Sequence, residues 1–459
     1  MKLIVFELNE IPKRILDDFE IKKKVFKKFR KKAYNFKTFV EDDPILSPWT
    51  TWPTVHLGQK QRIHQIEDLG QEIDQNNSKY KPIWAELKEE KFEVGVYGSL
   101  HSSNIPKDIQ EYSFYIGDCF GNNPIANPKQ AIDFNRFQQS IIKKNSREIQ
   151  KKLGSFELNG VRALKKLGVL GISSLSILKQ LLSEIINRDR VSRRRDLMVE
   201  INYFIFRKLL KNCKPHFSTF FANNVAASMH RYWEASYPED YKKNIQDPEW
   251  IKKYKNEIWH SMDISWMIIK DLIKFINKNN DFRLLIVSSM GQEAIEGYKI
   301  SEKQWQTNSI VESLHKLGIV ENKDKIEERT SMFPIYSIKA EKSLIRIIWG
   351  NIQKVSYSKE LKFRTRLHKN ECSISFEIAS AEEEPFLNFR GKKFLLKDIG
   401  FNQIDVKETK GTSAYHQPEG IGIYYGFKNT KEINALGFQK ILKTHNLKKI
   451  MKNIIYTNN

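Results

Sequence analysis

Short apolar runs recur along this chain, separated by longer segments of helical spacing, and that alternation restricts the fold to a few α/β arrangements. The runs span residues 3–8, 36–40, 92–97, 217–222, 284–288 and 421–425. Several end in polar residues: Asn9 follows the first, and Asn223 and Asn224 follow the fourth. Open parallel sheets hold ligands at the carboxyl ends of their strands. The pattern therefore predicts a mostly parallel sheet whose strand tips face one cleft. Between the runs, residues 21–32 predict a helix with Ile21, Val25, Phe26 and Phe29 on one face and basic residues on the other. Residues 81–91 predict a second, with Pro82 in its first turn, where a missing N–H costs little. Residues 256–277 form a long amphipathic helix leading into a buried strand.

Two stretches interrupt the alternation. Residues 125–212 are helical and basic, with Arg188, Arg190, Arg193, Arg194 and Arg195, and are expected to form a cap insertion. Residues 332–398 carry short β-like runs at 333–338, 345–349 and 372–378 and are expected to form a β-rich insertion. The 459 residues then make a single α/β domain with two insertions.

The 77 Lys+Arg against 55 Asp+Glu leave a net charge of +22, which favours anionic partners or reflects a solvated basic surface. Basic residues are not interleaved with aromatics at regular spacing, so nucleic acid is not the expected partner. Cys119, Cys213 and Cys372 form no CxxC pair and read as reduced thiols. The first apolar run is short and cut by Glu7, so it reads as a strand and not a signal segment, and a cytoplasmic location is expected. The most apolar stretch, residues 161–186, is broken by charges at helical spacing. It reads as a helix packed on its own domain or lying on a membrane surface, a peripheral contact.

The most unusual local sequence is Ser47-Pro48-Trp49-Thr50-Thr51-Trp52-Pro53-Thr54-Val55-His56. A hydroxyl at a helix start faces unpaired N–H groups that stabilise negative charge. By itself the segment reads as a helix cap. Thr51-Trp52-Pro53, however, resembles the Thr-aromatic-Pro motif of type I phosphodiesterases and nucleotide pyrophosphatases, in the alkaline phosphatase superfamily. Three further stretches are similar in order and spacing. Glu7-Leu8-Asn9-Glu10 falls at the family's first-strand Asp-Gly. Asn224 through His230-Arg231-Tyr232-Trp233 falls at its Asp and following His. His416-Gln417-Pro418-Glu419-Gly420 falls at its late His before a final strand.

The resemblance implies a three-layer α/β/α sandwich with an alkaline-phosphatase-like, mostly parallel sheet. It also implies Thr51 as nucleophile, and His230 and His416 as metal ligands with Asn9 as a weak neutral one. The departures are equally specific. The family's Ser-Asp-His-Gly is here Ser288-Ser289-Met290-Gly291, and the position four before His230 is Ala226. Serine and methionine do not replace a hard oxygen ligand and an imidazole. Fewer than two divalent ions, zinc or manganese, are therefore expected. Thr50, Glu7, Glu10, His56, Asn224, Ser289 and Gln292 are the candidate supporting residues, with Glu10 on the face opposite Asn9 unless the strand has already ended.

The resemblance thus implies hydrolysis or transfer of a phosphodiester or pyrophosphate group. The ligand would be an anionic phosphorylated small molecule or a glycan, as in polysaccharide biosynthesis. The alternative is a catalytically degenerate protein that binds an anionic ligand or partner protein in the same cleft.

Overall fold

The structure is a computed structural model. It describes residues 1–41, 45–69, 71, 79–104, 106–121, 123–143, 155–298, 303–329, 334–368, 372–380, 382–405 and 411–457.

The predicted apolar runs become strands of one nine-stranded sheet. In chain order they include β1 (Lys2–Leu8), β2 (Tyr34–Phe39), β3 (Val94–Tyr97), β4 (Phe114–Ile116), β5 (Ala126–Asn127), β6 (Phe217–Ala222) and β7 (Phe282–Val287). Strands Glu419–Tyr425 and Ile441–Lys443 complete it. β7, β1, β6, β3 and β4 form a continuous parallel run. Glu419–Tyr425 enters antiparallel between β7 and β2, and β5 adds an antiparallel edge.

Alternation along β1 feeds two cores. Ile4, Phe6 and Leu8 face one helical layer, built from α1 (Lys13–Lys22), α2 (Lys24–Lys32) and the helices Arg194–Cys213, Asn224–Ser236 and Glu257–Lys278. Leu3 and Val5 face the other, built from α3 (Pro48–Leu57) and the helices Ile83–Glu89 and Leu447–Tyr456. The molecule is thus an α/β/α sandwich around a mostly parallel sheet.

This topology brings distant sequence to one edge. The registers Leu8↔Ala222 and Glu7↔Val287 align the carboxyl ends of β1, β6 and β7. Because Glu419–Tyr425 runs the opposite way, its amino end, just after His416, lies at that same edge. Phe39, paired with Glu419, delivers the chain there before α3. Gly422 makes this arrangement fit: a Cβ on it would lie 2.1 Å from the Phe36 ring.

Three local expectations change. The helix expected over 21–32 breaks at Lys23 into α1 and α2; Phe26 and Phe29 are buried, whereas Ile21 and Val25 are exposed. The β-like run 345–349 is instead part of the helix Lys342–Ile352. Its Ile345, Ile348 and Ile352 are buried at spacings of three and four while Ile347 faces solvent, a helical period hidden in a β-branched sequence. The run 372–378 forms the strand Ser373–Ala379, whereas the first residue of the run 333–338 lies outside the described residues. Strands and helices between 303 and 405 enclose a separate core that includes Trp305, Ile348, Phe376 and Phe401. Among the described residues, no helix is long and apolar enough to cross a membrane.

Candidate metal centre at the strand ends

β1 ends at Leu8 and the chain turns at once. Glu10 has a φ of 58°, a left-handed backbone that glutamate rarely adopts. Such a conformation costs about 1–3 kcal/mol and persists only where the surroundings over-determine it. Glu10 is 2% exposed. Asn9 Nδ2 donates to its Oε1 at 2.7 Å, and Gln292 Nε2 donates to its Oε2. The same Oε2 faces His230 Nε2 at 3.0 Å and His416 Nε2 at 3.4 Å. The turn therefore ends strand alternation before Glu10 and aims its carboxylate at both imidazoles.

Both rings are oriented from behind. His230 Nδ1 donates to the Ala414 carbonyl at 2.8 Å, and His416 Nδ1 donates to the Leu46 carbonyl at 2.8 Å. A carbonyl oxygen only accepts, so each Nδ1 carries a hydrogen and each ring turns its Nε2 toward Glu10. Metal-binding histidines are commonly fixed this way. The helix Asn224–Ser236 is kinked at Tyr232, and the His230 carbonyl accepts from Ser413 N–H at 2.7 Å, clamping the segment that carries His416.

Burial opposes charge on Glu10, but the two imidazoles outweigh it and hold the carboxyl well below the usual carboxylate range. Burial also opposes charge on His416; the Glu10 carboxylate outweighs it and raises the ring's pKa above its ordinary value.

The three donor atoms lie within 4.8 Å of one another, and among the described residues this is the one such cluster. Tetrahedral zinc with bonds of about 2.0–2.2 Å sets its ligand atoms roughly 3.4 Å apart, close to the separations here. Two imidazoles and one carboxylate suit zinc or manganese and leave a coordination position open. A second ion finds less. Asn9 is committed, its Oδ1 accepting from Trp52 Nε1 at 2.7 Å and its Nδ2 donating to Glu10 and to Asn223 at 2.8 Å. Met290 is fully buried.

No protein-family model matches the chain, and no curated protein matches it in sequence. Solved structures are similar to it over nearly its whole length. Murine ectonucleotide pyrophosphatase/phosphodiesterase 5 is 10% identical, with 99% of this chain and 95% of that one covered and a TM-score of 0.38. Alkaline phosphatase from Thermus thermophilus is 11% identical, covering 99% and 90%, with a TM-score of 0.40. Phosphonoacetate hydrolase from Sinorhizobium meliloti, solved with phosphonoformate, is 10% identical, covering 99% and 95%, with a TM-score of 0.37.

The remaining candidates divide by position. Thr51 is fully buried and its Oγ1 lies 2.8 Å from Ser289 Oγ. It reaches the cluster indirectly, since the next residue, Trp52, bonds to Asn9, and Asn9 bonds to Glu10. The free N–H groups expected around the threonines are largely used. Thr50 and Thr51 donate to the Ser47 carbonyl at 3.0 and 2.9 Å, Trp49 donates to the Ser47 hydroxyl at 3.4 Å, and Pro53 has no N–H. Thr50 Oγ1 donates to the Ile45 and Ser47 carbonyls and so acts in the local turn.

Glu7 and His56 pair with each other at 2.7 Å deep under α3, away from Glu10. Asn224 Nδ2 donates to Asp196 at 2.9 Å and to the Ser261 carbonyl at 3.1 Å on the helical side. Gln292 lies in the cluster, donating to Glu10 and to the Ala226 carbonyl at 3.1 Å. The signal that best marks Glu10 is Pro12, which shows that the extended run has given way to a turn.

A pH dependence follows from His416. Below its raised pKa the Nε2 that faces Glu10 carries a proton, and a cation must displace it. Divalent-metal affinity is therefore expected to fall about tenfold per pH unit as pH drops through that pKa, with proton release on binding. Calorimetric titration in buffers of differing ionisation enthalpy measures this; binding without proton release contradicts it.

Proposed function

We propose that this protein holds one divalent cation on Glu10, His230 and His416 and uses it to bind the phosphoryl group of an anionic ligand, a phosphodiester or pyrophosphate that it hydrolyses or transfers. The observation that carries this reading is the pair of imidazoles whose Nε2 atoms converge on one carboxylate oxygen. The Thr51-Trp52-Pro53 motif, linked to Glu10 through Trp52 and Asn9, and the +22 net charge support an anionic phospho-ester as ligand. A nucleotide, a nucleotide sugar or a lipid-linked glycan has the required group.

A bound cation would supply charge neutralisation and Lewis acidity at that phosphoryl group. Glu10 balances the charge of the centre, while Asn9 and Gln292 hold Glu10 in place. Thr51 is the candidate nucleophile: its Oγ1–P bond forms as the bond from phosphorus to the leaving oxygen breaks, the hydroxyl proton ending on that leaving oxygen, and water or an acceptor alcohol later takes the phosphoryl group and returns a proton to Oγ1.

One observation favours a second reading. Thr51 is fully buried and tied to Ser289, as expected of a centre that binds its ligand without turning it over.

Hydrolysis of bis(p-nitrophenyl) phosphate by metal-loaded wild type and by Thr51→Ala separates the two. The first reading expects metal-dependent turnover that falls at least about 100-fold in Thr51→Ala, with metal affinity unchanged and the fold retained. Undiminished turnover in the variant eliminates Thr51 as the nucleophile. Metal binding with no turnover in wild type selects the second reading.

A further inference from the structure

The helix Leu170–Ile186 is built inside out. Its most buried residues are polar, Ser173, Ser176 and Gln180, with Leu170 and Ile177 packed beside them against the core. Ser176 Oγ donates to Glu200 at 2.8 Å, Gln180 Nε2 donates to the Arg190 carbonyl at 2.7 Å, and Glu184 takes a two-pronged ion pair from Arg194 at 2.9 and 2.7 Å. Hydrogen bonds supplement this short apolar contact in fastening the helix to the one that follows. Its outward face carries Ile172, Leu175, Leu178, Leu182, Ile185 and Ile186, each between 48% and 79% exposed. At about 100° per residue these six fill one continuous sector, along a helix about 25 Å long. An ordinary surface helix has the opposite orientation.

Charge selects the partner. Lys179 lies on the outward sector, Arg162 and Lys165 are exposed on the packed neighbouring helix Ser155–Lys166, and Arg188 is exposed just past the carboxyl end. The exposed positions of the Leu170–Ile186 helix include no acidic residue, because Glu184 is turned inward to Arg194. A second copy meeting this face would set base against base. An anionic lipid surface would accept the aliphatic side chains and neutralise the basic ones together.

We propose that the Leu170–Ile186 helix lies in the plane of an anionic phospholipid bilayer, with its six aliphatic side chains inserted and Arg162, Lys165, Lys179 and Arg188 at the headgroups. The protein is then a peripheral membrane protein without a spanning segment in the described residues. This inference stands apart from the reading of the metal centre and needs no turnover to test.

The test is co-sedimentation of the full chain with vesicles of phosphatidylcholine, with and without phosphatidylglycerol. Wild type is expected to partition at least about tenfold more strongly onto the anionic vesicles, and less so as salt is raised. The Leu175→Ser/Leu178→Ser/Leu182→Ser/Ile185→Ser variant is expected to lose at least about tenfold in partitioning, with unchanged circular dichroism. Lys165→Glu/Lys179→Glu should weaken binding to anionic vesicles alone, and this variant decides the matter if the first does not fold. Three results overturn the proposal: wild type that does not sediment with anionic vesicles, variants that bind as wild type does, or a wild-type dimer that the serine variant turns into a monomer.

Discussion

His230→Ala and His416→Ala are each expected to lower the affinity for Zn²⁺ or Mn²⁺ by more than about 100-fold. Loss of a residue that merely orients a ligand costs about 10–100-fold, and these side chains are read as the ligands themselves. Glu10→Gln tests the third donor differently. It keeps the shape of the side chain and one of its two amide hydrogen bonds but removes the charge that raises the His416 pKa and would balance a cation. Two measurements check this. Competition against a chelator reads affinity directly. Thermal unfolding reads it through linkage, because a ligand at 100 times its Kd stabilises the native state by about 2.7 kcal/mol. Wild type should gain that increment and the three variants should not. A variant that binds as tightly as wild type would locate the cation elsewhere.

The second large effect is expected under α3. Glu7 and His56 are each 1% exposed and bonded at 2.7 Å, with His56 stacked on Trp52 and edge-on to Trp84. Glu7 Oε2 and His56 Nδ1 already have no hydrogen-bond partner among the described residues. Removing one member strands the other in an apolar setting, so Glu7→Leu is expected to cost about 3–5 kcal/mol in urea unfolding. Replacing both residues removes the stranded group together with its partner. The double variant Glu7→Leu/His56→Leu should therefore recover most of that loss while binding metal as wild type does. A double variant less stable than the single one would show that the pair does more than satisfy itself. Loss of metal affinity in it would tie the pair to the centre.

Much of the sheet was legible because its strands are short and buried on both faces. The run 217–222 coincides with β6, and the runs at 3–8 and 421–425 lie within strands that extend one or two residues further. β4 and the edge strand β5 were not foreseen, being two or three residues long and too short for any period. At the centre, the order of His230 and His416 behind their motifs pointed to one cleft, and the structure puts both rings against Glu10. The geometry of Glu10 could not be read from alternation, because a single left-handed residue reverses the face on which a side chain emerges. Nor does sequence reveal that Asn9 and Thr51 are already hydrogen-bonded to Trp52 and Ser289, since those partners arrive from separate parts of the fold. The burial of polar residues along Leu170–Ile186 was equally hidden. A helical period fixes which residues share a side, not which side meets the protein.

The entry of Glu419–Tyr425 between β7 and β2 has a consequence for how the centre assembles during synthesis. The last donor, His416, leaves the ribosome long after Glu10 and His230, and its backbone neighbours are docked by that later insertion. Nascent chains and fragments ending before it would hold Glu10 and His230 alone, a pair with little hold on a cation. Metal capture would then mark the moment when the sheet closes, and a chain stalled short of that point would stay metal-free.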